Sequence, residues 1–176
     1  MEHYKLVVGE DFFREMVRKR SGSPGEVVMV IRRPGGKVLL TTKDFYPSGI
    51  YRLPSGQITS EENPEEALKR EAYEETGFHV QIDRCLGIIR YTLITDSGSV
   101  EYVSHVMLTE ETSGEPASQD LEEAIAGYRD VEPCELKYIA ENLRELADSW
   151  HDWGYFRAIA HDFVYERMCK SRQPDS

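Results

Sequence analysis

The pattern of apolar and polar positions along the chain predicts short strands mixed with four helices. Strands are predicted over residues 3–8, 27–31, 37–42, 79–91, 100–108 and 126–131, and helices over 10–20, 64–75, 134–146 and 153–168. The continuous apolar run at 27–31 is typical of a buried strand, and the alternation at 100–108 is typical of a half-buried one. Because the elements follow no regular βαβ rhythm, we expect an α+β fold with a mixed sheet.

The connections between these segments carry predictions of their own. The turn residues at 34–36 predict that strand 37–42 pairs with strand 27–31. A bend is expected at Gly87, inside the strand predicted over 79–91. The acidic stretch 109–124 is predicted to be a long loop, and long loops in compact domains are often functional.

The helix predicted over 64–75 carries an unusual arrangement of acids. Asn63 suits the N-cap, Glu66 stands where a capping-box glutamate belongs, and Gly77 suits the C-terminal end. At about 100° per residue, one half of the helix surface holds Ala67, Leu68, Glu71, Ala72, Glu74 and Glu75. Like charges spaced i, i+4 destabilise a helix by ~0.2–0.5 kcal/mol per pair. A solvated acidic face is one interpretation; a divalent cation such as Mg²⁺, which takes oxygen ligands, is the other.

The residues around this helix resemble the Nudix box, G-x5-E-x7-R-E-U-x-E-E-x-G-U, in which U is aliphatic or bulky and apolar. From Gly56 to Phe78 the chain reads GQITSEENPEEALKREAYEETGF, and every fixed position is present. The preceding YRLPSG resembles the family's W-x-L-P-G-G approach strand, with Tyr51 in place of Trp and Ser55 in place of the first Gly. Neither departure touches a metal-ligand position, so the chain resembles a Nudix hydrolase.

The resemblance implies the Nudix fold, a mixed β-sheet sandwiched between α-helices with the box as a loop-helix-loop. It covers roughly residues 26–146 of the chain. We therefore expect a single Nudix hydrolase domain over 1–176, with an N-terminal helical extension over about 1–25 and an added C-terminal helix over about 150–170.

The resemblance also assigns roles to the box residues. The implied ligands of Mg²⁺, for which Mn²⁺ is expected to substitute, are the carbonyl of Gly56 and the carboxylates of Glu71, Glu74 and Glu75. Arg70 would pair with Glu62 and orient the acidic cluster, a supporting task common around metal sites. Pairing of Arg70 along the helix with Glu66 or Glu74 stays open as well.

The general base is expected outside the box, as the resemblance implies, in the acidic loop 109–124. A base is needed because attack of water on phosphorus releases a proton. Within this loop we favour Glu123 over Glu122, since alternation from Ile125 puts Glu123 on the same face. Glu71 is the first alternative, and a solvated loop acid is the competing interpretation of Glu123.

The implied function is Mg²⁺-dependent hydrolysis of the pyrophosphate bond in a nucleoside diphosphate linked to another moiety. A nucleoside triphosphate or a nucleotide sugar is the expected substrate class. The alternatives are a non-catalytic nucleotide-binding sensor on the same fold and an RNA 5′-end pyrophosphohydrolase. Substrate selection is weakly encoded: candidates for stacking on a base are Phe45, Tyr46, Tyr51, Tyr91 and Tyr128, and candidates for holding phosphates are Arg32, Arg52 and Arg90.

The composition limits the classes of binding partner that are expected. The net charge of −11 argues against non-specific binding to nucleic acid or to an anionic membrane. The expected partner is a small nucleotide diphosphate derivative, and a homodimer is left open. Without a signal-like start or a long apolar stretch, a cytoplasmic location is expected. Cys85, Cys134 and Cys169 are odd in number, far apart and form no CxxC pair, so neither a zinc site nor a disulfide framework is suggested.

Overall fold

The computed structural model describes residues 1–170, so positions 171–176 of the expected domain lie outside the described residues. The strands are β1 Glu2–Val7, β2 Glu26–Val30, β3 Val38–Lys43, β4 Ser55–Gln57, β5 Ile82–Thr95, β6 Gly98–Thr109 and β7 Ile125–Val131. The α-helices are α1 Glu10–Gly22, α2 Pro64–Thr76, α3 Leu136–Arg144 and α4 His151–Met168. Within residues 1–170, no helix combines the length and the apolar character needed to cross a bilayer.

Five strands form a mixed sheet in the order β1-β5-β6-β2-β4. β1 runs parallel to β5 and β2 runs parallel to β6, whereas the pairs β5–β6 and β2–β4 are antiparallel. β3 and β7 form a separate antiparallel pair. The α+β fold with a mixed sheet is therefore confirmed, and the first strand of the N-terminal extension is an edge of that sheet.

Side chains alternate along β2 between two buried clusters on opposite faces of the sheet. Val28 and Val30 pack with Phe163 of α4, while Met29 packs with Leu68 of α2. Burial of each such side chain stabilises the fold by ~1.5–3 kcal/mol. The sheet is thus sandwiched between α2 on one face and α1 and α4 on the other.

Local chemistry fixes both ends of α2. The side chain of Asn63 accepts hydrogen bonds from the backbone N–H groups of Glu65 and Glu66, and the carboxylate of Glu66 accepts from the Asn63 N–H at 2.9 Å. Gly77 ends the helix in the left-handed conformation, at φ 73°. The capping box and the glycine stop predicted from the sequence are therefore both present.

The predicted pairing of strand 37–42 with strand 27–31 is wrong. A short contact remains beyond the turn, where the Leu39 N–H donates to the Ile31 carbonyl at 3.0 Å. β3 then continues along β7 in the second sheet, while β2 is flanked by β4 and β6. Turn residues indicate only where the chain reverses, and here the distant segments β4 and β6 occupy both edges of β2.

The structure contains one disulfide, although the spacing of the cysteines suggests no disulfide framework. Cys134, just before α3, is bonded to Cys169 at the end of α4, across a sequence separation of 35. Cys85 is the free cysteine. Spacing rules detect close pairs such as CxxC, whereas here it is the packing of α3 on α4 that brings two distant positions together.

One buried histidine connects α4 to the segment before β4. The backbone N–H of Leu53 donates to Nε2 of His161 at 3.0 Å, and Nδ1 of His161 lies 2.8 Å from the Arg157 carbonyl. These partners require a neutral ring that donates through Nδ1 and accepts through Nε2. Burial lowers the pKa of His161 to about 3.

This depressed pKa predicts a loss of stability on mild acidification. Below about pH 6.5 the unfolded chain takes up a proton at His161, whereas the folded chain stays neutral down to a pKa of about 3. The free energy of unfolding should therefore fall by roughly 2 kcal/mol more in wild type than in His161→Gln between pH 7 and pH 5. Urea unfolding at the two pH values measures this difference, with the exposed His3→Gln as the control. Equal pH dependence in wild type and His161→Gln would contradict the assignment.

Candidate active site

Strand β4 brings the backbone of Gly56 against the side chain of Glu71 in α2. A Cβ atom at position 56 would lie 1.9 Å from Cδ of Glu71. That distance is far inside van der Waals contact, so a side chain at position 56 would push the Glu71 carboxylate away. Glycine therefore lets β4 and the carboxylate of Glu71 share one small volume.

Arg70 is the cation that organises the acids of the loop and the helix. Its guanidinium binds Glu62 in a forked manner, with Nη2 2.6 Å from Oε1 and Nε 3.1 Å from Oε2. Its Nη1 donates to Glu71 at 2.8 Å and to Glu74 at 3.1 Å. The hydrogen bond from Arg70 holds the pKa of Glu62 below its usual range. Glu66 is absent from this network because its carboxylate closes the capping box.

Three carboxylates from two segments meet beside Gly56. One oxygen each from Glu71, Glu74 and Glu123 lies within 4.8 Å of the other two. Burial raises the pKa of Glu71, even though Arg70 opposes this shift. The Oε2 of Glu123 accepts a hydrogen bond from Lys43 at 2.8 Å. A short helical turn at Leu121–Glu123, at the end of the acidic loop, places Glu123 in this cluster.

Glu75 lies beneath the cluster and is fully buried, at 0% exposure. Neither oxygen of its carboxylate has a hydrogen-bond partner among the described residues. Lys43 Nζ is 3.9 Å from Oε1, which is too long for a hydrogen bond. Burial raises the pKa of Glu75 to about 7, although the charges of Arg52 and Lys43 pull it down.

These donors fit a hard divalent cation. The cluster offers carboxylate oxygens, which are the ligands that Mg²⁺ and related ions prefer. The buried carboxylate of Glu75 is the strongest indication, because it has no hydrogen-bond partner among the described residues and its one ion pair, with Lys43 at 3.9 Å, is long, which leaves a desolvation penalty on the order of several kcal/mol poorly offset. The close approach of Gly56 to Glu71 places its backbone next to these carboxylates.

A cavity of about 230 Å³ opens next to these acids. A buried ion pair lies in its wall, in which Nη1 of Arg157 is 2.9 Å from both oxygens of Glu26 and the hydroxyl of Ser104 donates to Glu26 at 2.7 Å. Burial alone would raise the pKa of Glu26, but Arg157 and Ser104 leave it lowered. The lining is strongly polar and consists of Lys19, Glu26, Lys43, Arg52, Ser55, Gly56, Gln57, Glu71, Tyr102, Glu123 and Arg157.

Comparison with known proteins agrees with this geometry. The family model of the NUDIX domain matches residues 23–154. The chain belongs to the Nudix family. This confirms the resemblance drawn from the box, and the matched range leaves β1, α1 and most of α4 outside it.

Two related sequences and one solved structure illustrate the Nudix relationship. MutT4 of Mycobacterium tuberculosis is 34% identical over 106 residues, which cover 58% of this chain and 43% of that protein. A MutT-like protein of Streptomyces ambofaciens is 33% identical over 64 residues, covering 36% and 40% of the two chains. The matched parts thus span less than half the length of either relative. A NUDIX hydrolase from Nitrosomonas europaea has the same fold at 16% identity, with a TM-score of 0.58 over 87% of this chain and 97% of that one.

The structure separates the sequence-derived site residues into two groups. The first group comes together around α2 and consists of Gly56, Glu62, Arg70, Glu71, Glu74, Glu75 and Glu123. Glu122, by contrast, points outward and is exposed. Among the other candidates, Tyr91 lies in the core and Arg90 pairs with Glu101 on the surface. Arg52 is buried and lines the cavity.

Sequence reasoning missed Lys43 and Arg157 as neighbours of the acids. Lys43 ends an apolar strand, where a lysine usually marks the return to solvent, and no local signal points to Glu123, 80 positions later. Arg157 sits within an apolar helical stripe. The signal that could have found Arg157 is a charged residue on the buried face of α4, where a partner is required.

Removal of the buried charge at Glu75 predicts a stability gain in the metal-free protein. Glu75→Gln keeps the shape of the side chain but removes a carboxylate that has no hydrogen-bond partner. With chelator present, the melting temperature of Glu75→Gln should equal or exceed that of wild type, while divalent metal should raise it less than it raises wild type. Glu74→Gln is the matched control, since Glu74 is half-exposed and already bound to Arg70. A lower melting temperature for metal-free Glu75→Gln would show that its carboxylate is structural.

Proposed function

We propose that this Nudix chain is a metal-dependent pyrophosphohydrolase. Its substrate would be a small nucleoside diphosphate linked to another moiety, with nucleoside triphosphates and nucleotide sugars as the first classes to test. The observation that carries this proposal is the buried, unpartnered carboxylate of Glu75 beside three further carboxylates. Such a concentration of negative charge is unfavourable on its own and suits a cation that also binds phosphates.

The residues that would hold Mg²⁺ or Mn²⁺ are Gly56 through its carbonyl and Glu71, Glu74 and Glu75. When bound, the cation supplies charge neutralisation to the pyrophosphate oxygens and lowers the pKa of bound water. Arg70 is a positioning residue, because it ties Glu62 to two of the helix acids. Its removal should loosen the whole cluster rather than one ligand.

Glu123 is our proposed general base. In this step a water oxygen forms a bond to phosphorus, the bridging oxygen leaves with the product, and the water proton passes to the Glu123 carboxylate. Lys43 Nζ donates to that carboxylate at 2.8 Å and lies 3.9 Å from the helix acid Glu75. The cavity of about 230 Å³ and the net charge of −11 favour a small nucleotide over an RNA chain.

The proposal predicts turnover that depends on divalent metal. A panel of nucleoside triphosphates, nucleotide sugars and dinucleotides should yield at least one substrate that releases a nucleoside monophosphate or a phosphorylated product with Mg²⁺. Excess EDTA should abolish this turnover, and added Mg²⁺ or Mn²⁺ should restore it. Full activity in chelator would refute the metal role, and a panel without any turnover, in a protein that still binds nucleotide, would favour the sensor alternative.

The role of Glu123 is tested against its neighbour. Glu123→Gln should lower kcat by ~10²–10⁴ because a lost general base has that effect, while the exposed Glu122→Gln should stay within a few-fold of wild type. Metal affinity, measured by calorimetry, distinguishes the two roles that the geometry allows. Unchanged affinity in Glu123→Gln supports the base, whereas a large loss would make Glu123 a metal ligand and return Glu71 as the candidate base.

A further inference from the structure

Arg52 differs from the other buried arginines of the described chain. Three arginines fall in the buried class within residues 1–170: Arg33, Arg52 and Arg157. Arg33 is 3.2 Å from a carboxylate oxygen of Asp130, and Arg157 is 2.9 Å from one of Glu26. Arg52, at 4% exposure, has no carboxylate within ion-pair distance among those residues.

The hydrogen bonds of Arg52 all go to uncharged acceptors. Its Nε donates to the Tyr46 hydroxyl at 2.8 Å, and its Nη1 donates to the Leu53 carbonyl at 2.8 Å and to the Ser55 hydroxyl at 3.0 Å. These contacts fix the orientation of the guanidinium, and none of them is an ion pair. An ionised group buried without a counter-charge is strongly unfavourable, so such a group is expected where a ligand supplies the charge.

The charge of Arg52 lowers the pKa of two acids, Glu26 and Glu75, and each of these has another counter-charge in the observed or proposed site. The charge of Glu26 is balanced by Arg157, whose Nη1 contacts both carboxylate oxygens, and Ser104 donates a further hydrogen bond to it. Glu75 would be neutralised by the cation in the proposed site. The positive charge of Arg52 therefore remains available toward the cavity, which it lines together with Gly56 and Glu71.

The surroundings favour an anion at this position. The cavity wall holds three further cations, Lys19, Lys43 and Arg157, and each is already paired with a carboxylate, so Arg52 is the one cation of this lining without an ion pair among the described residues. A guanidinium presents paired N–H donors that match two oxygens of a phosphate, and such charge-assisted bonds are about twice as strong as neutral ones. Ser55, which replaces the glycine of the family's approach strand, supplies one of the bonds that orient Arg52 in this chain.

We propose that Arg52 is a substrate-binding residue that holds a phosphate of the diphosphate group in the cavity beside Gly56. The inference rests on the proposed function, since it takes the diphosphate group from that proposal. Arg52, which lies in the approach segment, would thereby bind substrate alongside the acids of the box. Arg90, another of the arginines considered for holding phosphates, is paired with Glu101 at the surface and serves as the control.

The test uses methylenediphosphonate, a non-hydrolysable diphosphate, as the probe. Calorimetry with Mg²⁺ present should show that Arg52→Met weakens binding about tenfold or more, the loss expected for a bond to a charged group. Arg52→Lys should recover part of the affinity, and Arg90→Met should bind as wild type does. With the substrate found in the panel, Arg52→Met should raise KM more than it lowers kcat. Circular dichroism checks that each variant is folded.

A measurement on wild type keeps the inference independent of folding of the variants. The ¹⁵N NMR signal of the Arg52 Nε–H, assigned by its absence in Arg52→Lys, should shift on addition of the probe. Unchanged affinity in Arg52→Met, or an Nε–H signal unmoved at saturating probe, would overturn the role of Arg52. Either result leaves the pyrophosphohydrolase proposal standing, whereas absence of turnover in the panel, with the probe still bound, would overturn that proposal and leave Arg52 as an anion-binding residue.

Discussion

The buried carboxylate of Glu75 is the constraint on which the rest of the site depends. A helix packed against a sheet normally presents apolar side chains on its inner face, and Ala67, Leu68 and Ala72 do so here at 0% exposure. Glu75 occupies the same face without a hydrogen-bond partner among the described residues. The nearby charges of Arg52 and Lys43 both lower the pKa of Glu75 and so oppose the effect of its burial.

The same electrostatic logic explains why the neighbouring acids are treated differently. Glu62 lies near the surface, and Arg70 keeps its pKa low. Glu71 is buried, and its pKa is raised despite a contact with that same arginine. Desolvation and pairing therefore compete at each position: pairing decides the pKa at Glu62, and desolvation decides it at Glu71. A cation bound in the cluster would lower the pKa values of the buried acids, whereas the pair of Glu62 with Arg70 would stay unchanged.

Much of the site was readable from the sequence because it is local. The capping residues, the glycine stop and the helix face all lie within one 23-residue stretch, Gly56–Phe78, where spacing and rotation per residue decide what meets what. The partners of that stretch are not local: Lys43 ends a strand, Arg157 comes from α4, and β3 pairs with β7 instead of β2. These contacts depend on how distant segments pack, and no periodicity in one segment specifies its partner. The preference for Glu123 over Glu122 rested on alternation, yet the structure places Glu123 in a helical turn, so its position in the cluster has another cause.

Helix α4 lies largely outside the matched range, yet it has a fixed relation to the residues before Gly56. The link is one neutral hydrogen bond from the Leu53 N–H to His161, and a bond of this kind contributes only about 1 kcal/mol. Burial of Phe156 and Phe163 of α4 in the core contributes more, at ~1.5–3 kcal/mol for each side chain. Closing the 35-residue separation between Cys134 and Cys169 adds roughly 3–4 kcal/mol in the chain-entropy account. The helix is therefore held by packing and by the disulfide, and the hydrogen bond transmits its position to Leu53. The position of α4 therefore also sets the position of the approach segment, which contains Arg52 and the backbone of Gly56.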